Sequence, residues 1–201
     1  MMLGKNTQSK EIINRLPKNN SFIRMAELGV WKGESSELFS KHVDRLYLVD
    51  IWKIESYLES GEFGPLKSFV NRYKKLVGSD DPKDFEKYYN KIYDKVKEKF
   101  KNNSHVSIHR MTTNDFCIWF KQTNQIKLDC VYLDASHEYR QVYEDLKNCW
   151  SVLLKENGIL FGDDYLNKPG VKKAVDQFMF ENEEHYTFNN FYENQYEIIK
   201  K

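Results

Sequence analysis

Four residues in the second half of the chain carry the strongest chemical signal: Asp134 and His137, then Asp163 and Asp164. Carboxylates offer the oxygen ligands that a hard divalent cation such as Mg²⁺ prefers, with Mn²⁺ as its substitute. Zinc would ask for more nitrogen or sulfur than this set supplies. Carboxylates gathered without a cation would repel one another. The pattern therefore predicts a metal seat formed by Asp134, Asp163 and Asp164. His137, three residues after Asp134, is a candidate general base for a hydroxyl group. The plainer readings are that Asp164 caps the next segment and that His137 only bonds a neighbouring carboxylate.

These residues need elements that bring them to one edge. Val131 and Leu133 belong to a short apolar run that stops at Asp134, as a buried parallel strand would. Ile159, Leu160 and Phe161 run into Gly162, Asp163 and Asp164 in the same way. Between them Val142, Leu146, Cys149, Trp150 and Leu153 recur at helical spacing, with Ser136 as the expected N-cap and Gly158 as the stop. Strand, helix, strand predicts a parallel pair whose ends point the same way, so the acids should gather.

A second constellation lies near the N-terminus. Phe22 to Leu28 reads as a buried strand that runs into Glu27-Leu28-Gly29-Val30-Trp31-Lys32-Gly33-Glu34-Ser35-Ser36, and Leu38 and Phe39 open a helix reaching about His42. Strand, glycine turn and helix N-terminus make a cradle for a nucleotide-like ligand. The missing side chains of Gly29 and Gly33 are expected to let the backbone approach that ligand. Leu46 to Val49 forms the next apolar run and ends in Asp50, about twenty residues after the glycine turn, where an acid can take two ribose hydroxyls.

The remaining elements complete a layered α/β pattern. Lys10 to Leu16 predicts a short helix ended before Pro17. Val106 to His109 reads as a third strand, followed by Arg110 to Thr113 and a helix over Phe116, Trp119 and Phe120. Val171, Ala174, Val175 and Phe178 predict a last helix after Pro169-Gly170. His185 to Phe191 and Gln195 to Ile199 suggest a terminal β-hairpin. Residues 52–103 are longer than a simple crossover needs. Leu66, Phe69, Val70, Tyr73 and Val77 fit one helix there; Phe85, Tyr88, Tyr89, Ile92, Val96 and Phe100 fit another, with Asp81 as N-cap and Pro82 at its first position. Part of this stretch must be the crossover, and the rest is a candidate cover over the substrate.

Composition bounds the classes. The 201 residues fit one domain with an insertion. A hydrophobic share of 40% with 30% charged residues is globular, and a net charge of +1 gives no electrostatic case for nucleic acid. No run approaches membrane-spanning length and the N-terminus lacks an apolar signal core, which predicts a cytoplasmic protein. Cys117, Cys130 and Cys149 sit in apolar contexts, as buried thiols would. A small-molecule ligand is the expected partner, and self-association into a homo-oligomer is left open.

The motifs resemble class I S-adenosylmethionine-dependent methyltransferases. The spacing Glu-x-Gly-x-x-x-Gly at Glu27, Gly29 and Gly33 is similar to that family's first motif, and Asp50 to its ribose-binding acid. The string Gly-Val-Trp-Lys-Gly-Glu-Ser-Ser, with Asp-Ala-Ser-His-Glu-Tyr and Gly-Asp-Asp-Tyr, is similar to metal-dependent sugar O-methyltransferases of the macrocin type. The resemblance implies a Rossmann-like, doubly wound sheet of about seven strands, mostly parallel with a C-terminal antiparallel hairpin and helices on both faces. It implies S-adenosylmethionine held by Glu27, Gly29, Val30, Trp31, Gly33, Ser35, Ser36, Asp50, Ile51, Met111, Thr112, Thr113, Asp134 and Ala135. It implies Mg²⁺ or Mn²⁺ on Asp134, Asp163 and Asp164, with His137 and Asp134 catalytic in methyl transfer to a hydroxyl of a sugar or other vicinal diol. Two other readings stay open: a nicotinamide-dependent oxidoreductase, whose usual Gly-x-Gly-x-x-Gly spacing is absent here, and a non-catalytic cofactor-binding module.

Overall fold

A computed structural model describes residues 5–18, 22–53, 74–79, 81–182 and 185–201. In chain order the elements are α1 (Lys5–Asn14), β1 (Arg24–Leu28), α2 (Glu34–Phe39), β2 (Arg45–Asp50), α3 (Pro82–Phe100), β3 (Val106–Arg110), α4 (Thr113–Gln122) and β4 (Leu128–Leu133). They continue with α5 (Tyr139–Asn148), a π-helical turn (Cys149–Leu153), β5 (Leu154–Gly162), α6 (Pro169–Glu181), β6 (Tyr186–Tyr192) and β7 (Gln195–Lys200). The strands form one seven-stranded sheet in the order β3-β2-β1-β4-β5-β7-β6. β7 runs antiparallel to both β5 and β6, while the other pairs are parallel. This is the expected Rossmann-like methyltransferase architecture.

Alternation along the strands sorts side chains onto two faces. On β2, Leu46 and Leu48 enter one core while Tyr47 and Val49 enter the other; on β4, Cys130 and Tyr132 part from Val131 and Leu133 in the same way. Ile12 of α1, Phe39 of α2 and the apolar stripe of α3 cover the first face, and α4, α5 and α6 cover the second. The α3 stripe is Phe85, Tyr89, Ile92, Val96 and Phe100, all buried. Burying each such side chain contributes about 1.5–3 kcal/mol. Asp81 caps α3 by accepting the Lys83 N–H at 2.8 Å, and Pro82 opens the helix as expected. All three cysteines are free and buried.

Four local expectations are corrected. Helix α1 begins before Lys10 and ends at Asn14. Helix α5 starts at Tyr139 with Glu138 as N-cap residue, so Ser136 does not cap it; the Ser136 hydroxyl instead accepts the Glu138 N–H at 3.2 Å in a tight turn. The apolar spacing that predicts one helix through Leu153 is divided, because the last residues form the π-helical turn that keeps Cys149 and Leu153 buried. Gly158 does not stop that helix. The chain becomes extended at Leu154, pairs there with Leu128, and resumes pairing at Ile159 after a register shift around Asn157, whose φ is 61°. In the stretch after Trp52, the proposed helix over Leu66 to Tyr73 lies outside the described residues, and Val77 closes a helical turn at 74–77.

Candidate functional site

Backbone hydrogen bonds carry the parallel sheet one residue past its strand ends. Gly29 N–H donates to Val49 O at 2.9 Å and Met111 N–H to Asp50 O at 3.1 Å. Asp134 N–H donates to Leu28 O at 2.9 Å, and Asp163 N–H to Leu133 O at 3.3 Å. Loops from separate strands therefore leave from fixed points at one edge, which a site of convergent side chains requires.

Two of those loops bring Asp134, His137 and Asp164 together. One ligand atom from each lies within 4.8 Å of the other two. His137 Nε2 is 2.7 Å from Asp164 Oδ2. His137 Nε2 is itself buried, so this contact is shielded from solvent. Burial acts to raise the Asp164 carboxyl, but the His137 ring, Asn167 and Lys168 outweigh it and hold the group below the usual range. Asp164 itself has φ 67°, a conformation that Asp tolerates better than most residues. Its N–H donates to Asp163 Oδ1 at 2.8 Å. Asp163 is not among the three clustered residues, and His137 is. On the other side, α6 presses on the His137 turn: a Cβ at Gly170 would lie 2.3 Å from His137 O.

The glycine turn is organised from within. Asp50 Oδ2 accepts the N–H groups of Val30 and Trp31 at 2.9 and 2.8 Å, and Oδ1 accepts that of Trp52 at 2.7 Å. Burial raises the Asp50 carboxyl above its ordinary range, against the pull of these three N–H groups and of Arg110. Three of about four lone-pair sites are occupied, so Asp50 first shapes the loop and keeps little capacity for a ligand hydroxyl. Glu27 is fully buried and accepts the hydroxyls of Ser35 and Ser36, tying the start of α2 to the end of β1. Gly29, at φ 96°, approaches protein rather than ligand: a Cβ there would lie 2.0 Å from Asp134 O and 2.9 Å from Ala135 Cα. Gly33, at φ 67°, precedes α2 and receives Lys99 Nζ on its carbonyl at 3.0 Å.

Beside this turn is a depression of about 290 Å³ lined by Ile51, Lys53, Arg110, Met111, Thr112 and Asp115. Ile51, Met111 and Thr112 were expected there. Thr113 was too, but its hydroxyl donates to Asp145 of α5 instead. The sequence pattern missed Lys53, Arg110, Asp115 and Trp52. Arg110 pairs in register with Asp50 at the ends of neighbouring strands, a signal visible only once strand order is known. Its Nη2 donates to Trp52 O at 3.0 Å and to Asn90 Oδ1 at 2.6 Å. Trp52 is completely buried and donates from Nε1 to Trp31 O at 2.8 Å, so it locks the two loops together. Ile51 and Met111 give the depression its apolar surface, beside the polar Lys53, Arg110, Thr112 and Asp115.

A family model described as a methyltransferase domain matches residues 26–165. No curated protein matches the sequence. Solved structures share the fold at low identity. The O-methyltransferase NovP matches at 17% identity and TM-score 0.60, over 97% of this chain and 78% of its own. An O-methyltransferase from Bacillus cereus, in complex with SAH, matches at 9% and 0.59, over 100% and 94%. The N-methyltransferase NodS from Bradyrhizobium japonicum WM9, in complex with S-adenosyl-L-homocysteine (SAH), matches at 11% and 0.59, over 97% and 86%. Among the described residues no helix is long and apolar enough to cross a membrane. The family match spans β1 to the loop after β5, taking in the glycine turn, Asp50 and the Asp134–His137–Asp164 corner, and the chain belongs to the methyltransferase domain family.

Proposed function

We propose that the protein transfers the methyl group of S-adenosylmethionine to a hydroxyl of a sugar or other vicinal diol, with a divalent cation at Asp134, His137 and Asp164. The observation that carries this reading is the gathering of one ligand atom each from Asp134, His137 and Asp164 within 4.8 Å of one another. Two carboxylates and one imidazole suit Mg²⁺ or Mn²⁺, and the nitrogen donor moves the preference toward Mn²⁺. When bound, the cation supplies Lewis acidity and a fixed point for two neighbouring acceptor oxygens. The macrocin-type resemblance implied Asp163 as the third ligand, and His137 replaces it in this reading.

The chain's own contribution is placement. Asp134 is pinned by its N–H to Leu28 and by its carbonyl against Gly29, so its carboxylate stands at the seam between donor and acceptor halves. The Asp50 loop sets the donor side, and the depression at Ile51 and Met111 is read as the adenine seat. Holding methyl and acceptor oxygen in line in this way can lower a barrier by about 7–11 kcal/mol. In this reading His137 is a ligand through Nε2, which then has no lone pair for a proton, rather than the base expected from the sequence. Residues 52–103 are read as a cover, since α3 already reaches the glycine turn through Lys99 and the depression's rim through Asn90.

Labelled methyl transfer from S-adenosylmethionine to a panel of sugars, catechols and amines tests the proposal. Transfer to a diol is expected with Mn²⁺ or Mg²⁺ present, to vanish after chelation and to return when the ion is restored. Transfer untouched by chelation would remove the cation, and transfer confined to amines would remove the hydroxyl acceptor.

A further inference from the structure

One carboxylate in the core has no part in the site described above. Asp145 of α5 is 1% exposed. Its Oδ1 accepts the Thr113 hydroxyl and the Gln141 side-chain N–H, the latter at 2.9 Å, while Oδ2 is buried without a hydrogen-bond partner. The titratable groups facing it are Glu144 on its own helix, Cys117 of α4, Cys149 of the π-helical turn and Tyr196 of β7. Burying a carboxylate with half its acceptors idle destabilises a fold. An apolar residue of similar size would pack here at no such cost. What Asp145 does gain is a hold on Thr113, the first residue of α4, which directly follows the Met111 and Thr112 that line the depression.

We infer that Asp145 is a positioning residue for the methyl donor: through Thr113 it fixes the Met111–Thr112 wall from the far side of the sheet edge. The inference rests on the depression being the donor's seat. The same helix follows the His137 turn at its other end, so Asp145 links the two halves of the site through one rigid element. Burial pushes the Asp145 carboxyl up to about 6, with Thr113 and Gln141 restraining the rise. An acid raised in the folded state loses its proton later than in the unfolded chain. Its ionisation therefore weakens the fold as pH climbs from about 4 through 6. The ionised form also grips Thr113 more strongly, since charge-assisted hydrogen bonds exceed neutral ones. Stability and donor binding are thus expected to move in opposite directions with pH.

Calorimetric titration of SAH from pH 5 to 8, with thermal midpoints, on wild type, Asp145→Asn and Asp145→Leu tests this. Wild-type affinity is expected to rise as pH passes 6. Asp145→Asn keeps the neutral bonds; it should lose that pH dependence while melting no lower than wild type at pH 7. Asp145→Leu should weaken SAH about tenfold, the worth of one hydrogen bond to a charged group. Unchanged SAH affinity in both variants, or a midpoint that falls in step with affinity, would make Asp145 a core residue only and overturn the inference. Wild type that binds no SAH would overturn the donor-seat reading itself, and the inference with it.

Discussion

Replacing His137 with alanine should lower Mn²⁺ affinity by at least about a hundredfold, since even indirect partners of metal ligands change affinity by about 10–100-fold. Methyl transfer should fall by about a thousandfold or more, reflecting several kcal/mol of lost charge stabilisation. SAH affinity should stay within about twofold of wild type, because the glycine turn and Asp50 are held by their own hydrogen bonds and none of these involves His137. Isothermal titration with Mn²⁺ and with SAH separates the two effects. Asp can replace the imidazole as a ligand, so His137→Asp should recover part of the metal affinity. The competing role gives a different pattern: a base removed from a site whose ion is held by other residues leaves Mn²⁺ binding intact while turnover falls. That outcome would return His137 to the role the sequence pattern suggested and leave Asp134 and Asp164 needing a third ligand.

The second large effect is expected at Gly29. Alanine there would place Cβ 2.0 Å from Asp134 O and 2.5 Å from Asp134 C. Both are backbone atoms, and Asp134 is tied to Leu28 by its own N–H, so neither side can yield cheaply. A left-handed backbone adds about 1–2 kcal/mol for any L side chain. Overpacking of this kind adds about 1–3 kcal/mol. Together they should reduce stability by about 2–5 kcal/mol, a large part of the roughly 5–15 kcal/mol a domain has. Urea denaturation should show a markedly lower midpoint, with SAH and Mn²⁺ binding weakened together because donor and acceptor loops meet at this point. Gly78→Ala is the matched control: φ is 77° but nothing lies within 4 Å of its Cβ, so only the conformational part should appear. A Gly29→Ala protein with the control's midpoint would show that the loops do not press on each other as described.

The sheet was legible because its strands are short apolar runs that end in acids or glycine, and period-two sorting onto two faces leaves no other use for them. Helix α3 was equally legible, since Asp81 and Pro82 mark its start and five apolar residues recur at helical spacing. Boundaries failed where tertiary contact overrode local signals. Gly158 looked like a helix stop, yet the chain turns extended at Leu154 because β4 offers Leu128 as a partner. Ser136 looked like a cap, yet its hydroxyl serves the turn that carries His137. At the site, residue types were readable but directions were not. Spacing placed Asp163 and Asp164 together; only the positive φ of Asp164 and its N–H to Asp163 decide which carboxylate faces His137. Asp50 stands where a ribose-binding acid would, yet it spends most of its acceptor capacity on backbone N–H groups, which no pattern of side chains can foretell. Arg110 and Trp52 emerge only when neighbouring strand ends are set side by side.

The three thiols have a practical consequence. Burial pushes Cys117 up to about 12 and also raises Cys130 and Cys149. A thiol attacks a disulfide reagent as its thiolate and only where the reagent can reach it, so each is silenced twice in the native fold. Cys130 lies in the core beneath α1, α2 and α3, whereas Cys117 and Cys149 lie in the core beneath α4, α5 and α6. Reaction with a chromogenic disulfide must then wait for local opening, and its rate reports the opening free energy. Peptide mapping of the labelled cysteines would time the two layers independently, without introducing a probe. The unaltered chain thereby reports which side of its sheet breathes first.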